Sequence, residues 1–124
     1  CPVCHFTFPF LERIYKRCGG GGATILGISQ DDAESTKDFA REFGVTFPIL
    51  LDQKANGYVA SNAYGLTNVP TIVLIEPDGS AKVVCLGFDK KGLESIAVAL
   101  AERKKIAATA LFRLDETVPA LKPG

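Results

Sequence analysis

Apolar side chains recur at helical spacing at the start of the chain. Phe6, Phe10 and Ile14 follow one another at four-residue steps, which places them on one face of a helix. We predict this helix over residues 2–17. The four glycines at residues 19–22 cannot continue it, so we expect it to end in a flexible loop.

The next segments alternate between extended and helical spacing. Residues 23–29 (ATILGIS) form a short apolar run, which is typical of a strand buried on both faces. Asp31 is positioned to cap a helix that runs to about Phe43, where Gly44 stops it. Residues 47–51 (FPILL) are again apolar and extended. The pattern therefore predicts a strand, a helix and a second strand.

A hairpin and a final helix are predicted in the second half of the chain. Residues 55–64 are weakly helical, whereas residues 71–76 (TIVLIE) have the composition of a buried strand. Residues 77–80 (PDGS) signal a turn, so residues 81–88 are expected to pair back. Asp89 is positioned to cap the last helix. One face of that helix carries four apolar residues, Leu93, Ile96, Ala97 and Leu100.

The segments form one predicted domain, residues 1–105, followed by a tail, residues 106–124. A chain of 124 residues can bury a sizeable core. Helical periodicity dissolves in the tail, where Phe112, Leu114 and Val118 are the candidate anchors. The order of elements predicts an α/β fold with a mixed sheet.

Charge and hydropathy exclude two classes of partner. Fourteen basic and fourteen acidic side chains cancel and are interspersed along the chain, so no electrostatic footprint for nucleic acid is present. The longest apolar run is only a handful of residues, too short to cross a bilayer. Membrane contact is therefore expected only through an anchor upstream of Cys1.

The motif Cys1-Pro2-Val3-Cys4 carries the most chemical information. Two thiols three positions apart can close into a disulfide and reopen with little backbone movement. At a helix start the first sulfur lies near unpaired N–H groups, and such thiols have a pKa of roughly 3.5–7.5 instead of about 8.5. We predict that Cys1 is the nucleophile and that Cys4 resolves the mixed disulfide.

The cysteines also allow roles other than disulfide exchange. A pair at this spacing can ligate zinc, but His5 is the only histidine, and Cys18 and Cys85 are isolated. The sequence therefore predicts no metal and no other cofactor. His5 either tunes a thiol or is a partly exposed helix side chain. We interpret Cys18 and Cys85 as small structural apolar residues, and a redox role stays open chiefly for Cys18.

Pro70 is the second informative position. It stands directly before the predicted strand 71–76, where a trans proline in a central strand would break a ladder hydrogen bond. A cis bond would present the N–H and C=O of Val69 to a substrate peptide while Cys1 attacks its disulfide. Taken alone, the trans form is the commoner state of an X-Pro bond.

These motifs together resemble the thioredoxin superfamily, and within it the TlpA/ResA-like bacterial thiol-disulfide oxidoreductases and related redoxin-domain proteins. The likeness covers residues 1 to about 104. Three motifs carry it: Cys1-Pro2-Val3-Cys4 followed by Pro9, Val69-Pro70-Thr71, and Leu26-Gly27-Ile28-Ser29 followed by Phe47-Pro48-Ile49. The resemblance implies a three-layer α/β/α fold, a cis Pro70, and exchange with protein or small-molecule disulfides or dithiols and a thiol redox donor.

The sequence departs from this family at two places. Thr7 stands where members often carry a glutamate implied to assist proton transfer, so water or His5 would have to substitute. The family fold also places a strand before the active-site helix, between the strands formed here by residues 23–29 and 71–76. We therefore expect upstream residues in the native protein. Because relatives of this type are mostly exported and often tethered, a periplasmic or other extracytoplasmic location is favoured over a cytoplasmic one.

Two other hypotheses come from different functional classes. A peroxiredoxin-type thiol peroxidase shares the redoxin-like middle of the chain, but it would need a peroxidatic cysteine in a Pro-x-x-x-Thr/Ser-x-x-Cys motif, whose first residues would lie upstream of Cys1. A redox-inactive binding module, or a metal or haem-maturation chaperone, would not need the dithiol to turn over. No sequence signature fixes the direction of exchange or the oligomeric state. The Cys1 and Cys4 pair fits disulfide exchange best.

Overall fold

The computed structural model describes residues 1–19 and 23–124; residues 20–22 of the loop predicted at residues 19–22 lie outside the described residues. The helices are α1 (Pro2–Cys18), α2 (Ala33–Phe43), α3 (Val59–Ala63) and α4 (Lys90–Lys104), with a 3-10 turn at Lys54–Asn56. The strands are β1 (Gly27–Ser29), β2 (Ile49–Leu51), β3 (Thr71–Ile75), β4 (Ala81–Leu86), β5 (Phe88–Asp89) and β6 (Leu121–Lys122). None of the described helices combines the length and the apolar character that crossing a membrane requires.

Helix α1 forms where its apolar spacing predicts it. Cys1 caps its start, and Pro2 occupies the first turn, where a missing N–H removes no helical hydrogen bond. Phe10, Leu11 and Ile14 are buried on the inner face. The helix packs against α4 and against β5, so the inner face of α1 is part of the main core.

Helix α2 is capped by Asp32 and not by Asp31, so the predicted cap was wrong by one residue. The Asp32 carboxylate accepts the backbone N–H of Ser35 at 2.7 Å. The N–H of Asp31 instead donates to the hydroxyl of Ser29 at 3.1 Å, which holds Asp31 in the turn before the helix. Gly44 ends the helix with φ of +67°, as predicted.

The weakly helical segment at residues 55–64 is divided in two. The 3-10 turn at Lys54–Asn56 and helix α3 are separated by Gly57 and Tyr58, whose φ angles are +74° and +50°. Left-handed backbone cannot continue a right-handed helix. Buried Asp52 then accepts the N–H groups of Ala60 and Ser61, which satisfies the start of α3.

The strands form three two-stranded pairs. β1 and β2 are parallel, β3 and β4 form the predicted antiparallel hairpin, and β5 pairs antiparallel with β6. The strand predicted over residues 23–29 is shorter than expected, because only Gly27–Ser29 find partners in β2. Within residues 1–19 and 23–124, no ladder joins the β1–β2 pair to the β3–β4 pair. The fold is thus mixed α/β, with small sheets and helices around one core.

The tail after α4 packs on the domain through residues that the pattern only partly identified. Leu111 is buried, with 3% of its surface exposed, whereas Leu114 is fully exposed, so the expected Leu114 anchor was wrong. Phe112 contacts Phe10 with ring centroids 4.9 Å apart, and Val118 also packs against the core. Leu111 and not Leu114 faces the core because an ion pair holds the tail against α1 near Leu111.

This ion pair joins Arg13 of α1 to Glu116 of the tail. The two guanidinium nitrogens donate to the two carboxylate oxygens at 2.7 and 2.6 Å. One of these nitrogens also donates to the carbonyl of Leu111, at 3.2 Å. A bidentate pair of this kind has a defined geometry, so it orients the chain around Leu111 towards the core and leaves Leu114 outside.

Candidate dithiol site

A disulfide joins Cys1 and Cys4 across the first turn of α1, with the two Cα atoms 5.2 Å apart. Cys1 is exposed and Cys4 is half-buried one turn deeper. The backbone N–H of Cys4 donates to the sulfur of Cys1 at 3.1 Å. The sulfur therefore serves as the helix cap, a position that serine or aspartate oxygens often occupy.

The electrostatic setting of Cys1 favours negative charge on sulfur. The N-terminus of a helix carries a partial positive charge and unpaired N–H groups. No acidic side chain lies in the first turn of α1, as far as the described residues show. A thiolate formed when the disulfide opens is thus held by a backbone donor without opposing charge nearby on its own helix.

The loop before β3 meets this sulfur. The Val69–Pro70 peptide is cis, as the resemblance implied. The carbonyl oxygen of Val69 lies 3.7 Å from the sulfur of Cys1, and 43% of the Val69 surface is exposed. The structure therefore brings together Cys1, Cys4, Val69 and Pro70, the four residues singled out for catalysis and substrate binding.

His5 lies on the outer side of α1 and contacts α2. Its ring stacks on Phe43 with centroids 4.6 Å apart and an angle of 21° between the planes, and the Phe39 centroid is 5.6 Å away. Phe39 and Phe43 are half-buried and pack against the edge of the core. The end of α2 thus packs against the residue that directly follows Cys4.

Thr7 is used within the helix. It is fully buried, and its hydroxyl donates to the carbonyl of Val3 at 2.7 Å. A side chain bonded in this way is not directed towards the disulfide. The buried carboxylate of Glu12, which the sequence did not point to, accepts the N–H and the hydroxyl of Thr46 at 2.7 and 2.6 Å. That carboxylate connects α1 to the chain before β2.

The other two cysteines are kept away from the surface. Cys18 and Cys85 have 3% and 1% of their surfaces exposed. Burial, with a smaller contribution from Asp89, raises the pKa of the Cys85 thiol to about 11. Both residues fit the structural interpretation. Across residues 1–19 and 23–124, no three His, Cys, Asp or Glu side chains converge as a metal site would require.

Residues 121–124 also reach the site, which the sequence did not indicate. The side-chain amide of Asn68 donates to the carbonyl of Gly124 at 3.2 Å. The N–H of Gly87 donates to the carbonyl of Pro70 at 2.7 Å, and Gly87 packs against the same segment. In the sequence, the glycines at positions 87 and 124 are compatible with close backbone packing, but a glycine does not indicate which segment it packs against.

A dithiol at the start of a helix, next to a cis-proline loop in a mixed α/β domain, defines a thioredoxin-like redox site. Comparison with known proteins agrees with this class. The family model for the AhpC/TSA family matches residues 1–84, and the chain belongs to that family.

The curated relatives share one name, thiol-disulfide oxidoreductase ResA. The relative from Geobacillus thermodenitrificans is 31% identical over 102 residues, covering 77% of this chain and 57% of the relative. That from Halalkalibacterium halodurans is 31% identical over 88 residues, covering 70% and 48%. That from Bacillus subtilis is 28% identical over 88 residues, covering 70% and 48%. The chain spans about half the length of these relatives, and the resemblance to ResA-like proteins is confirmed.

Proposed function

We propose that this chain is a thiol-disulfide oxidoreductase that works through Cys1 and Cys4. The observation that carries the proposal is the disulfide at the start of α1, with exposed Cys1 only 3.7 Å from the Val69 carbonyl. An inert structural disulfide would have no need for a helix N-terminus and an exposed peptide loop beside it. The name of the relatives supports the same activity.

The reaction follows from the order of exposure. In the reduced protein, the Cys1 thiolate attacks one sulfur of a substrate disulfide, and the other sulfur leaves as a thiolate that takes a proton from water. Cys4, after losing its proton, attacks the Cys1 sulfur and releases the second substrate thiol. The substrate gains two electrons and two protons, and the Cys1–Cys4 disulfide forms. A dithiol donor returns the pair to the reduced state by the reverse exchange.

The geometry assists both steps. The Cys4 N–H that lies 3.1 Å from the Cys1 sulfur stabilises the Cys1 thiolate before it attacks, and again when reduction by the dithiol donor releases it. Because Cys4 is half-buried, substrates reach Cys1 first. Since the Thr7 hydroxyl is bonded within the helix, we infer that water or exposed His5, which directly follows Cys4, carries the proton.

The substrate side is formed by the loop at Val69. An extended peptide can pair with the backbone N–H and C=O of Val69 and place its own disulfide over Cys1. We infer that the substrates are protein or small-molecule disulfides or dithiols, with a thiol redox donor as the second partner. The resemblance to mostly exported proteins favours an extracytoplasmic location.

The full sheet is also part of this proposal. The β1–β2 and β3–β4 pairs are not joined in the described residues. Leu26, which precedes β1, and Ile28 within it are about half exposed. A strand between β1 and β3 would join the pairs into one mixed sheet with helices on both faces. We treat residues 1–105 as the thioredoxin-like unit and residues 106–124 as an extension packed on it.

A thiol peroxidase is the second candidate, because the match to the AhpC/TSA family covers most of the chain. A peroxidase would transfer oxygen from a peroxide to one thiol, forming a sulfenic acid that a second thiol condenses to a disulfide. Peroxide consumption by the reduced protein would therefore support this reading. Disulfide exchange requires no peroxide.

The test is reduction of insulin by the reduced chain with dithiothreitol as donor. We expect Cys1→Ser to lower the rate to the uncatalysed background, because the attacking thiolate is gone. Cys18→Ala is the matched control, since it removes a thiol outside the pair, and it should retain the wild-type rate. Equal rates for wild type and Cys1→Ser would overturn the proposal, and consumption of hydrogen peroxide without insulin reduction would favour the peroxidase.

A further inference from the structure

Residues 121–124, here called the 121–124 segment, run from β6 to the loop that carries Val69. β6 pairs with β5 through Leu121 and Lys122. At Gly87, which follows β4 and has φ of +77°, a Cβ would overlap the Lys122 carbonyl and lie 2.6 Å from the Gly124 nitrogen. Only glycine permits this contact, so the segment is held tightly against the β4–β5 junction.

The far end of the segment lies on the Val69 carbonyl. A Cβ at Gly124 would lie 2.5 Å from the Val69 oxygen, which is closer than side-chain carbons pack. The Asn68 amide holds the Gly124 carbonyl at 3.2 Å. The same Val69 oxygen is 3.7 Å from the Cys1 sulfur. The Val69 carbonyl thus has the nucleophile and Gly124 as close neighbours.

This arrangement affects the two kinds of substrate differently. An extended peptide that pairs with Val69 needs access to the carbonyl that Gly124 covers. A small disulfide needs access only to the exposed sulfur of Cys1. Lys122 of the same segment contacts α1 as well, since its ammonium lies 4.9 Å from the centre of the Phe6 ring.

We propose that the 121–124 segment determines substrate specificity by occupying the carbonyl side of the Val69 peptide site. Protein substrates must displace it, whereas small disulfides react past it. The inference rests on the proposed exchange function. In this proposal the 121–124 segment competes with peptide substrates for the Val69 carbonyl.

The test compares two substrates on matched variants. Gly124→Val places a branched side chain where the Val69 oxygen lies and should push the segment away. Ala120→Val adds a similar volume at an exposed position before β6 and serves as the control. We expect Gly124→Val to raise kcat/KM for insulin about two- to tenfold, the range for one net hydrogen bond. The kcat/KM for oxidised glutathione should stay unchanged in both variants.

A second variant, deletion of residues 121–124, removes the competitor whether or not Gly124→Val displaces it. It should raise kcat/KM for insulin at least as much, with thermal unfolding used to verify the fold. Lower insulin turnover in the deletion variant, or equal changes for both substrates, would overturn the inference. A wild-type chain inactive on both substrates would instead overturn the exchange function itself, so the two failures are distinguishable.

Discussion

The imidazole of His5 lies face to face with the ring of Phe43, with centroids 4.6 Å apart and planes inclined by 21°. His5 directly follows Cys4 in α1, and Phe43 is the last residue of α2. The stack therefore attaches the reactive turn of α1 to a neighbouring helix. It gives His5 a packing role that is independent of proton transfer.

Substitution of His5 separates packing from proton transfer. We expect His5→Ala to lower the free energy of unfolding by about 0.5–1.5 kcal/mol, the range for an aromatic pair, whereas His5→Phe retains the stack and most of the stability. Urea unfolding measures this difference. Insulin reduction across pH 5–9 supplies the control, since a rate loss shared by both variants would assign proton transfer to His5.

Removal of Cys4 should trap the first intermediate. In Cys4→Ser the exposed sulfur of Cys1 still attacks a substrate disulfide, but no internal thiol resolves the product. A mixed disulfide between Cys1 and the substrate should accumulate, and intact-protein mass spectrometry detects its added mass. The opposite pattern, with substrate attached to Cys4 in Cys1→Ser at a comparable rate, would reverse the assigned roles.

The Arg13–Glu116 pair makes the free energy of unfolding depend on pH in the acid range. Hydrogen bonds from the Arg13 guanidinium, and then from the Arg113 N–H, lower the pKa of Glu116 to about 2. In the unfolded chain a glutamate has a pKa of about 4.3. The contribution of the pair is therefore complete above that value and is lost as pH falls towards the folded pKa.

Glu116→Gln tests this dependence, because glutamine keeps the size but not the charge. We expect the difference in Tm between wild type and variant to be constant above about pH 5 and to shrink towards pH 2. Thermal unfolding followed by circular dichroism measures it. A difference in Tm that stays constant down to pH 2 would show that the charge of Glu116 does not stabilise the tail.

The two tail leucines form a matched pair for stability. Leu111→Ala should lower the free energy of unfolding by about 2–5 kcal/mol, because it leaves a cavity in the core. Leu114→Ala removes the same atoms from a fully exposed position and should change it by at most about 0.5 kcal/mol. Chemical denaturation of both variants measures the contrast, and similar losses would show that the tail packs differently in solution.

Sequence reasoning succeeded where a residue acts through its immediate neighbours. Cys1 and Cys4 are one helical turn apart, so local spacing predicts that they can form a disulfide, whereas the cis form of the Val69–Pro70 bond followed from the resemblance. The same local pattern placed the cap of α2 at Asp31, one residue too early, because neighbouring Asp32 has the same side chain. The Ser29 hydroxyl, which binds the N–H of Asp31, decides between them.

Long-range contacts account for what the sequence did not reveal. Arg13 and Glu116 are 103 positions apart, and their pairing decides which tail leucine faces inward. Asn68 and Gly124 are 56 positions apart, and no periodicity in residues 106–124 predicts that the segment returns to the dithiol. Only the folded backbone, with glycine at position 87, brings these residues together.

The burial of Cys18 and Cys85 divides the four sulfurs into two populations that a simple titration can count. After reduction, the folded protein should react quickly with a thiol reagent at Cys1 and Cys4 only, because thiolate character and access govern the rate. Unfolding the reduced chain should reveal the remaining thiols. The number of thiols that react in the folded protein thus reports the redox state of Cys1 and Cys4. Slow reaction of Cys18 and Cys85 in the same assay shows that the protein is folded.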